Sequence, residues 1–140
     1  MPPLEYITLA GLVVLAVLLW VYSRMRSKDR IDEILARHRG SASVCSRANL
    51  LEGMEMIPVA LALKNDAIYY ENTDIQASIE LALIEEVEYD DETATGHTMP
   101  GKVLRIRAHN HVFEFAFDLP TARQWEAAFP PRRIDRARAV

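Results

Sequence analysis

Three histidines are the residues whose type and spacing could hold a metal ion. His109 and His111 stand two positions apart around Asn110, and His97 precedes them. A structural zinc site takes four ligands, so a His-x-His pair without further ligands is weak support for a metal. A polar hairpin tip explains the pair equally well. We therefore expect no metal and no cofactor.

A run of carboxylates is the second candidate for chemistry. Such side chains could hold a cation loosely, but the run lacks the Gly-centred spacing of a calcium loop. We interpret it as a solvated acidic loop or as a docking patch for a basic partner. The candidate docking residues are Glu85, Glu86, Glu88, Asp90, Asp91 and Glu92.

The remaining reactive groups do not form a catalytic pattern. Cys45 has no evident activating base, so we expect an inert thiol. The sequence contains no Gly-rich phosphate loop, no Ser/His/Asp arrangement that stands out and no zinc motif. We therefore predict that the protein is not an enzyme and has no catalytic residues.

The stretch over residues 4–23 has no charged side chain between Glu5 and Arg24 and predicts a transmembrane helix, preceded by a short N-terminal segment, 1–3. Twenty residues of helix span about 30 Å, which is the hydrocarbon thickness of a bilayer. A cleaved signal peptide is disfavoured because no Lys or Arg precedes Arg24. A buried core helix is disfavoured because 140 residues offer too little protein to surround it.

A basic cluster follows the predicted span and predicts its orientation. Basic residues stay on the cytoplasmic side, so we expect the N-terminus outside the cell membrane and the C-terminal domain in the cytoplasm. The same cluster is expected to contact the membrane surface. Its members are Arg24, Arg26, Lys28 and Arg30.

The net charge of −4 hides a strong asymmetry. Residues 41–130 carry six basic and fifteen acidic side chains, a balance of −9, whereas residues 1–40 balance to +2 and residues 131–140 to +3. An acidic domain is a poor ligand for phosphates, so we expect no nucleic-acid partner and little attraction to anionic headgroups. The residues after the span suffice for one small domain.

Helical spacing of apolar residues continues beyond the span. Ile31, Ile34, Leu35 and His38 predict a juxtamembrane amphipathic stalk over 24–40, with Gly40 as its C-cap. The stalk could pack on the following domain, pair with a second copy of itself, or lie in the membrane interface. A homo-oligomer could thus form through the stalk or the span.

A period of two replaces the helical period after the stalk. The segment ASVCSRANLLEG predicts a first strand, and IPVALALKNDAIYYEN predicts a hairpin. Its loop, Asn65-Asp66, suits the positive φ of tight hairpins. The predicted register pairs Leu63 with Ile68 and Leu61 with Tyr70.

The chain continues with further strand patterns. Apolar residues alternate over 75–81, which predicts a half-buried antiparallel strand. A short turn follows, in which Ile84 and Val87 should both point inward, and then the acidic loop. KVLRIRAHNHVFEFAFD predicts a second hairpin around His109-Asn110. Its register pairs Ile106 with Phe113 and Leu104 with Phe115.

A short helix should complete the domain. Asp118 is placed to cap it and Pro120 falls near its first position. The pattern predicts one buried face, formed by Ala122, Trp125, Ala128 and Phe129. Pro130-Pro131 should end the helix.

Taken in order, these elements resemble a known family. The string LLEGMEMIPVALALKNDAIYYEN followed by IELALIEEVEY resembles the GRAM branch of the pleckstrin-homology-like fold, over Ser41 to Phe129. The resemblance implies an α+β domain over 41–130, a small antiparallel β-barrel closed by a C-terminal helix. The charge of +3 over 131–140 predicts a basic tail after it. Members that bind phosphoinositides carry basic residues around the first hairpin, whereas that hairpin here offers Lys64 alone.

Such domains are generally binding modules, which gives the functional expectation. We expect a membrane-anchored cytoplasmic interaction module, an adaptor or scaffold, that binds another protein. The alternative is a lipid-sensing module at the leaflet to which the domain is tethered.

Overall fold

A continuous N-terminal helix dominates the architecture. The computed structural model describes residues 3–133, without the side chains of 27–29. Helix α1 spans Pro3–His38, so the predicted span and the predicted stalk form one element. Its apolar part has a mean hydropathy of 2.3 and is not buried against any of the described residues. By length and composition, α1 can cross a membrane.

The C-terminal end of α1 packs on the domain that follows, which is the first of the three placements expected for the stalk. Ile31, Ile34 and Leu35 are buried in a cluster with Ala60 of the sheet, and Cys45 packs against it. The helix ends at His38, whose carbonyl accepts hydrogen bonds from the N–H groups of residues 41 and 42. The predicted C-cap at Gly40 is wrong, because Gly40 does not adopt the left-handed conformation of such caps.

Eight strands form one antiparallel sheet. In chain order the elements are β1 Val44–Glu52, β2 Glu55–Leu63, β3 Ala67–Glu71, β4 Gln76–Glu80, a 3₁₀ turn Leu81–Leu83, β5 Ile84–Glu92, β6 Thr98–Ala108, β7 His111–Phe117, α2 Leu119–Ala128 and β8 Arg132–Arg133. The spatial order is β4-β3-β2-β1-β7-β6-β5-β8. The α+β class is confirmed.

The sheet does not close, so the predicted barrel is wrong in this respect. Strands β4 and β5 follow each other in the chain and are joined by the 3₁₀ turn, but they are not hydrogen-bonded to each other. Ile79 of β4 and Ile84 of β5 nevertheless belong to one buried cluster. The sheet is therefore strongly curved around a single core, and its edges remain open.

Both predicted hairpin registers are confirmed. Leu63 pairs with Ile68 and Leu61 with Tyr70 between β2 and β3. Between β6 and β7, Ile106 pairs with Phe113 and Leu104 with Phe115. Each pairing places large apolar side chains together on the inner face of the sheet.

The positive φ angles occur at a different hairpin from the one predicted. His109 and Asn110 have φ of 49° and 63°, as a type I′ turn requires, whereas Asn65 and Asp66 do not have positive φ. A further turn, not predicted, joins β1 and β2 at Gly53, whose φ is 61°. Glycine at this first central position suits a type II′ turn.

Ile84 and Val87 both point inward, as predicted, but they lie in β5 rather than in the predicted turn, and a bulge explains their common direction. Residues three apart on a regular strand face opposite sides, but the register with β6 shifts between Ile84 and Glu86. Ile84 and Val87 are each 2% exposed. The bulge therefore brings both side chains into the core.

Helix α2 covers the inner face of the sheet. The Asp118 carboxylate accepts a hydrogen bond from the N–H of Thr121, which confirms the predicted cap. Trp125 is fully buried, stacks on Phe117 and donates from its indole nitrogen to Ser46 Oγ at 2.8 Å. Ala128 is exposed, so its predicted burial is wrong; the chain leaves the helix there and Phe129 fills the space.

The start of the predicted basic tail forms β8. Arg132 and Arg133 pair with Val87 and Glu86 at the outer edge of β5. The rest of the predicted tail, 134–140, lies outside the described residues.

Candidate functional site

The acidic run lies in strand β5, so the prediction of a loop is wrong. The neighbouring strand explains the difference, since β6 presents basic residues opposite the acidic ones. Glu86 pairs with Arg107 and Glu88 with Arg105 in the register of the two strands. Opposite charges at facing positions stabilise an antiparallel pair, which favours an extended conformation here.

Arg105 is the centre of this ion-pair array. Its guanidinium lies 3.1 Å from the Glu88 carboxylate, 3.4 Å from that of Asp90 and 3.5 Å from that of Glu114. Burial opposes the charge, but the hydrogen bond to Glu88 and the nearby charge of Glu114 outweigh it and raise the pKa of Arg105. The array is therefore a charged framework on the outer face of the sheet.

The predicted docking residues are mostly engaged within the protein. Besides the pairs to Arg105, Lys102 bonds Asp91 and Arg107 lies 3.9 Å from Glu86. Glu85 is half-buried at the bulge and Glu92 is exposed. A basic partner would have to compete with the protein's own Arg105, Arg107 and Lys102 for these carboxylates.

An apolar groove beside the β1–β2 turn is a surface that sequence reasoning missed. It has a volume of about 260 Å³, and its apolar lining consists of Leu51, Met54, Met56 and Met99. Met54 is 88% exposed and Met56 51% exposed. The rim is polar and contains Glu55, His97 and Glu114. The sequence signal for this groove was Gly53, which stands between two runs of alternating apolar residues. It marks the turn from which Met54 and Met56 project.

A basic cleft lies where α1 leaves the predicted span. One cavity of about 540 Å³ is lined by Arg26, Arg30 and Arg37 of α1 and by the β3–β4 turn. A second of about 320 Å³ shares Arg26, Arg30 and Thr73 with it and reaches Ser23. Two of the predicted membrane-surface residues thus line one site.

The other two membrane-surface residues lie elsewhere. Arg24 is placed over the ring of Trp20, 5.3 Å from its centroid, rather than in the cleft. Lys28 is in the helix, but its side chain lies outside the described ones.

The histidines and the cysteine do not assemble into a reactive centre. His109 and His111 flank the β6–β7 turn, and His97 lies at the rim of the groove. Cys45 packs beneath α1. Among the described residues, no group of three or more His, Cys, Asp or Glu side chains is placed to hold a metal ion.

The chain was compared with known proteins on three levels. No protein-family model, no curated protein and no solved structure matches it.

Proposed function

We propose that this protein is a single-pass membrane protein whose cytoplasmic, pleckstrin-homology-like domain binds another protein. The order β4-β3-β2-β1-β7-β6-β5 followed by a helix on the inner face supports the pleckstrin-homology-like assignment. Arg24, Arg26 and Arg30 directly after the apolar part of α1 support the cytoplasmic placement.

The observation that carries the binding function is the groove between the β1–β2 turn and the β5–β6 connection. Exposed methionines are costly to present to water unless something covers them, and their flexible thioether side chains adapt to varied apolar surfaces. Met54 and Met56 project from a turn with little else to bury them. The groove is thus suited to an apolar side chain from a partner.

The polar rim suggests the chemistry of that partner. Glu55 and Glu114 border the groove. Glu114 is already engaged by Arg105 at 3.5 Å and by the N–H of Ala94, a bond that orders the loop beside it, so Glu55 is the carboxylate that would face a partner. An amphipathic segment that inserts an apolar side chain and carries a basic residue next to it would complement this surface. This groove replaces the acidic run as our preferred docking surface.

The membrane anchor would allow a binding site of low affinity to be occupied by its partner. Two proteins confined to one membrane meet at a raised effective concentration, so a small interface can be occupied at low intrinsic affinity. A groove of about 260 Å³ fits such a contact.

The proposal is tested by replacing Met54 with a photoreactive amino acid in the full-length protein in its native membranes. Ser78, exposed on the edge strand β4, is the matched control position. We expect a discrete protein adduct from position 54 that is absent from position 78 and that Met56→Asp abolishes. Equal adducts from both positions would refute the groove. Lipid adducts alone from position 54 would favour the alternative function, lipid sensing at the adjoining leaflet.

A further inference from the structure

Three arginines share one face of α1 beyond the predicted span. At about 100° per residue, Arg26, Arg30 and Arg37 point within about 40° of one another around the helix axis. Their face adjoins the one that packs on the sheet, so the β3–β4 turn lies across from them and closes a cleft.

The opposite wall of the cleft is rigid. The Asn72 side chain accepts hydrogen bonds from the N–H groups of Asp74 and Ile75 at 2.8 and 2.7 Å and donates to the carbonyl of Pro58 at 3.1 Å. These bonds order the turn, whose Thr73 lines the cleft together with Arg26 and Arg30. The cleft therefore combines two guanidinium groups with a hydroxyl, all of them donors.

These arginines differ from those on the sheet. Arg47 lies 2.6 Å from the carboxylate of Asp32, and Arg105 lies 3.1 Å from that of Glu88. Among the side chains that the structure describes, by contrast, no ion pair involves Arg26, Arg30 or Arg37. Glu33 is the one carboxylate among the residues that line the described cleft. Among the described side chains of the cleft, three positive charges against one negative charge favour an anion.

The depth of the cleft identifies the source of that anion. With the span ending at Ser23, the backbones of Arg26 and Arg30 lie about 4.5 and about 10.5 Å beyond the hydrocarbon, at about 1.5 Å per residue. Helical side chains lean toward the N-terminus, so the side chain of Arg30 extends back toward the membrane. The headgroup layer is about 5 to 8 Å thick on each side. The narrower part of the cleft, from Ser23 to Thr73, thus opens at the level of lipid phosphates.

We propose that Arg26, Arg30 and Thr73 form a binding site for the phosphate of an anionic phospholipid in the leaflet next to the domain. Two guanidinium groups offer charge-assisted hydrogen bonds to the phosphate oxygens, and the Thr73 hydroxyl donates a further one. Arg37, farther along α1, adds positive charge at the outer part of the cleft. A bound lipid would join α1 to the β3–β4 turn and fix the domain against the membrane surface.

The test uses the full-length protein in detergent, titrated with phosphatidylglycerol or phosphatidylcholine and followed by native mass spectrometry of retained lipid. Arg26→Gln and Arg30→Gln remove one cleft charge each. Arg24→Gln is the matched control, because Arg24 lies nearer the bilayer but outside the cleft. Thr73→Val removes the hydroxyl without changing the charge.

We expect one tightly retained phosphatidylglycerol and a loss of affinity of at least about fivefold for each cleft arginine, the contribution of one basic residue near a charged surface. Arg24→Gln should change it less than about twofold, and Thr73→Val should weaken it measurably. Equal losses from Arg24→Gln and Arg26→Gln, or equal retention of phosphatidylcholine, would overturn the site. Displacement of the lipid by millimolar inorganic phosphate would overturn its assignment to a lipid.

Discussion

Replacing Trp125 with alanine tests the packing of α2 against the sheet. The side chain is fully buried, stacks on Phe117 at 6.2 Å between ring centroids and donates to Ser46. A tryptophan buries about 150 to 250 Å², which at about 25 cal/mol per Å² gives about 4 to 6 kcal/mol as an upper estimate. Substitutions of large buried aromatics by alanine cost about 3 to 5 kcal/mol. We therefore expect a loss of about 4 kcal/mol in the free energy of unfolding.

The loss can be measured by pulse proteolysis of the full-length protein in detergent at increasing urea concentrations. With a slope of about 2 kcal/mol per molar urea, the midpoint should fall by about 2 M. Arg123→Ala, on the exposed face of the same helix, should leave the midpoint unchanged. A fall below about 0.5 M for Trp125→Ala would mean that α2 does not cover the core as described, and the reasoning would be refuted.

Two further predictions concern backbone crowding and alkaline pH. Gly101→Ala should lower the unfolding free energy by more than about 2 kcal/mol, because its new Cβ would overlap the backbone carbonyl of Phe117. Gly40→Ala is the control and should leave that free energy unchanged, because its Cβ would meet no atom within 4 Å. Equal urea midpoints for the two variants would contradict this prediction. Burial raises the pKa of Tyr89, with a smaller contribution from the charge of Glu126, so its neutral phenol stabilises the native state fully below about pH 10 and less as the pH rises through the native pKa. Wild-type stability should therefore fall more steeply above about pH 10 than that of Tyr89→Phe, which lacks the titrating group; parallel pH profiles would argue against a buried phenol.

The strands could be predicted from the sequence because one face of the sheet is buried. A slip of one residue would turn Leu104 and Ile106 toward solvent, so alternation together with a turn at His109-Asn110 predicted the register with Phe113 and Phe115. The positions of positive φ could not be read in the same way. Asn65-Asp66 and His109-Asn110 have similar turn composition. Only the path of the backbone through each loop decides which pair adopts positive φ angles.

The elements that were predicted wrongly depend on contacts between distant residues. The acidic run reads as a solvated loop by composition, but Arg105 and Arg107 on the next strand neutralise it. Closure of the sheet likewise depends on whether β4 and β5 meet edge to edge, which alternation within each strand does not determine.

The candidate sites were only partly visible in the sequence. Arg26 and Arg30 stood out because charge next to a span is easily recognised. Their partner in the cleft, Thr73, lies in a turn more than forty residues away and has no chemical signature of its own. The groove was missed because scattered methionines become a surface only once the β1–β2 turn and the β5–β6 connection are adjacent.

The unbroken helix from Pro3 to His38 has a mechanical consequence. Its apolar part would tilt to suit the thickness of the bilayer, and its last turns are fastened to the sheet through Ile31, Ile34 and Leu35. From the middle of the span to His38 is about 37 Å at about 1.5 Å per residue, so a change in tilt of about 10° would carry the end of the helix about 6 Å sideways. In a membrane, the helix would act as a lever arm, and a local change in bilayer thickness would move the whole sheet relative to the membrane surface.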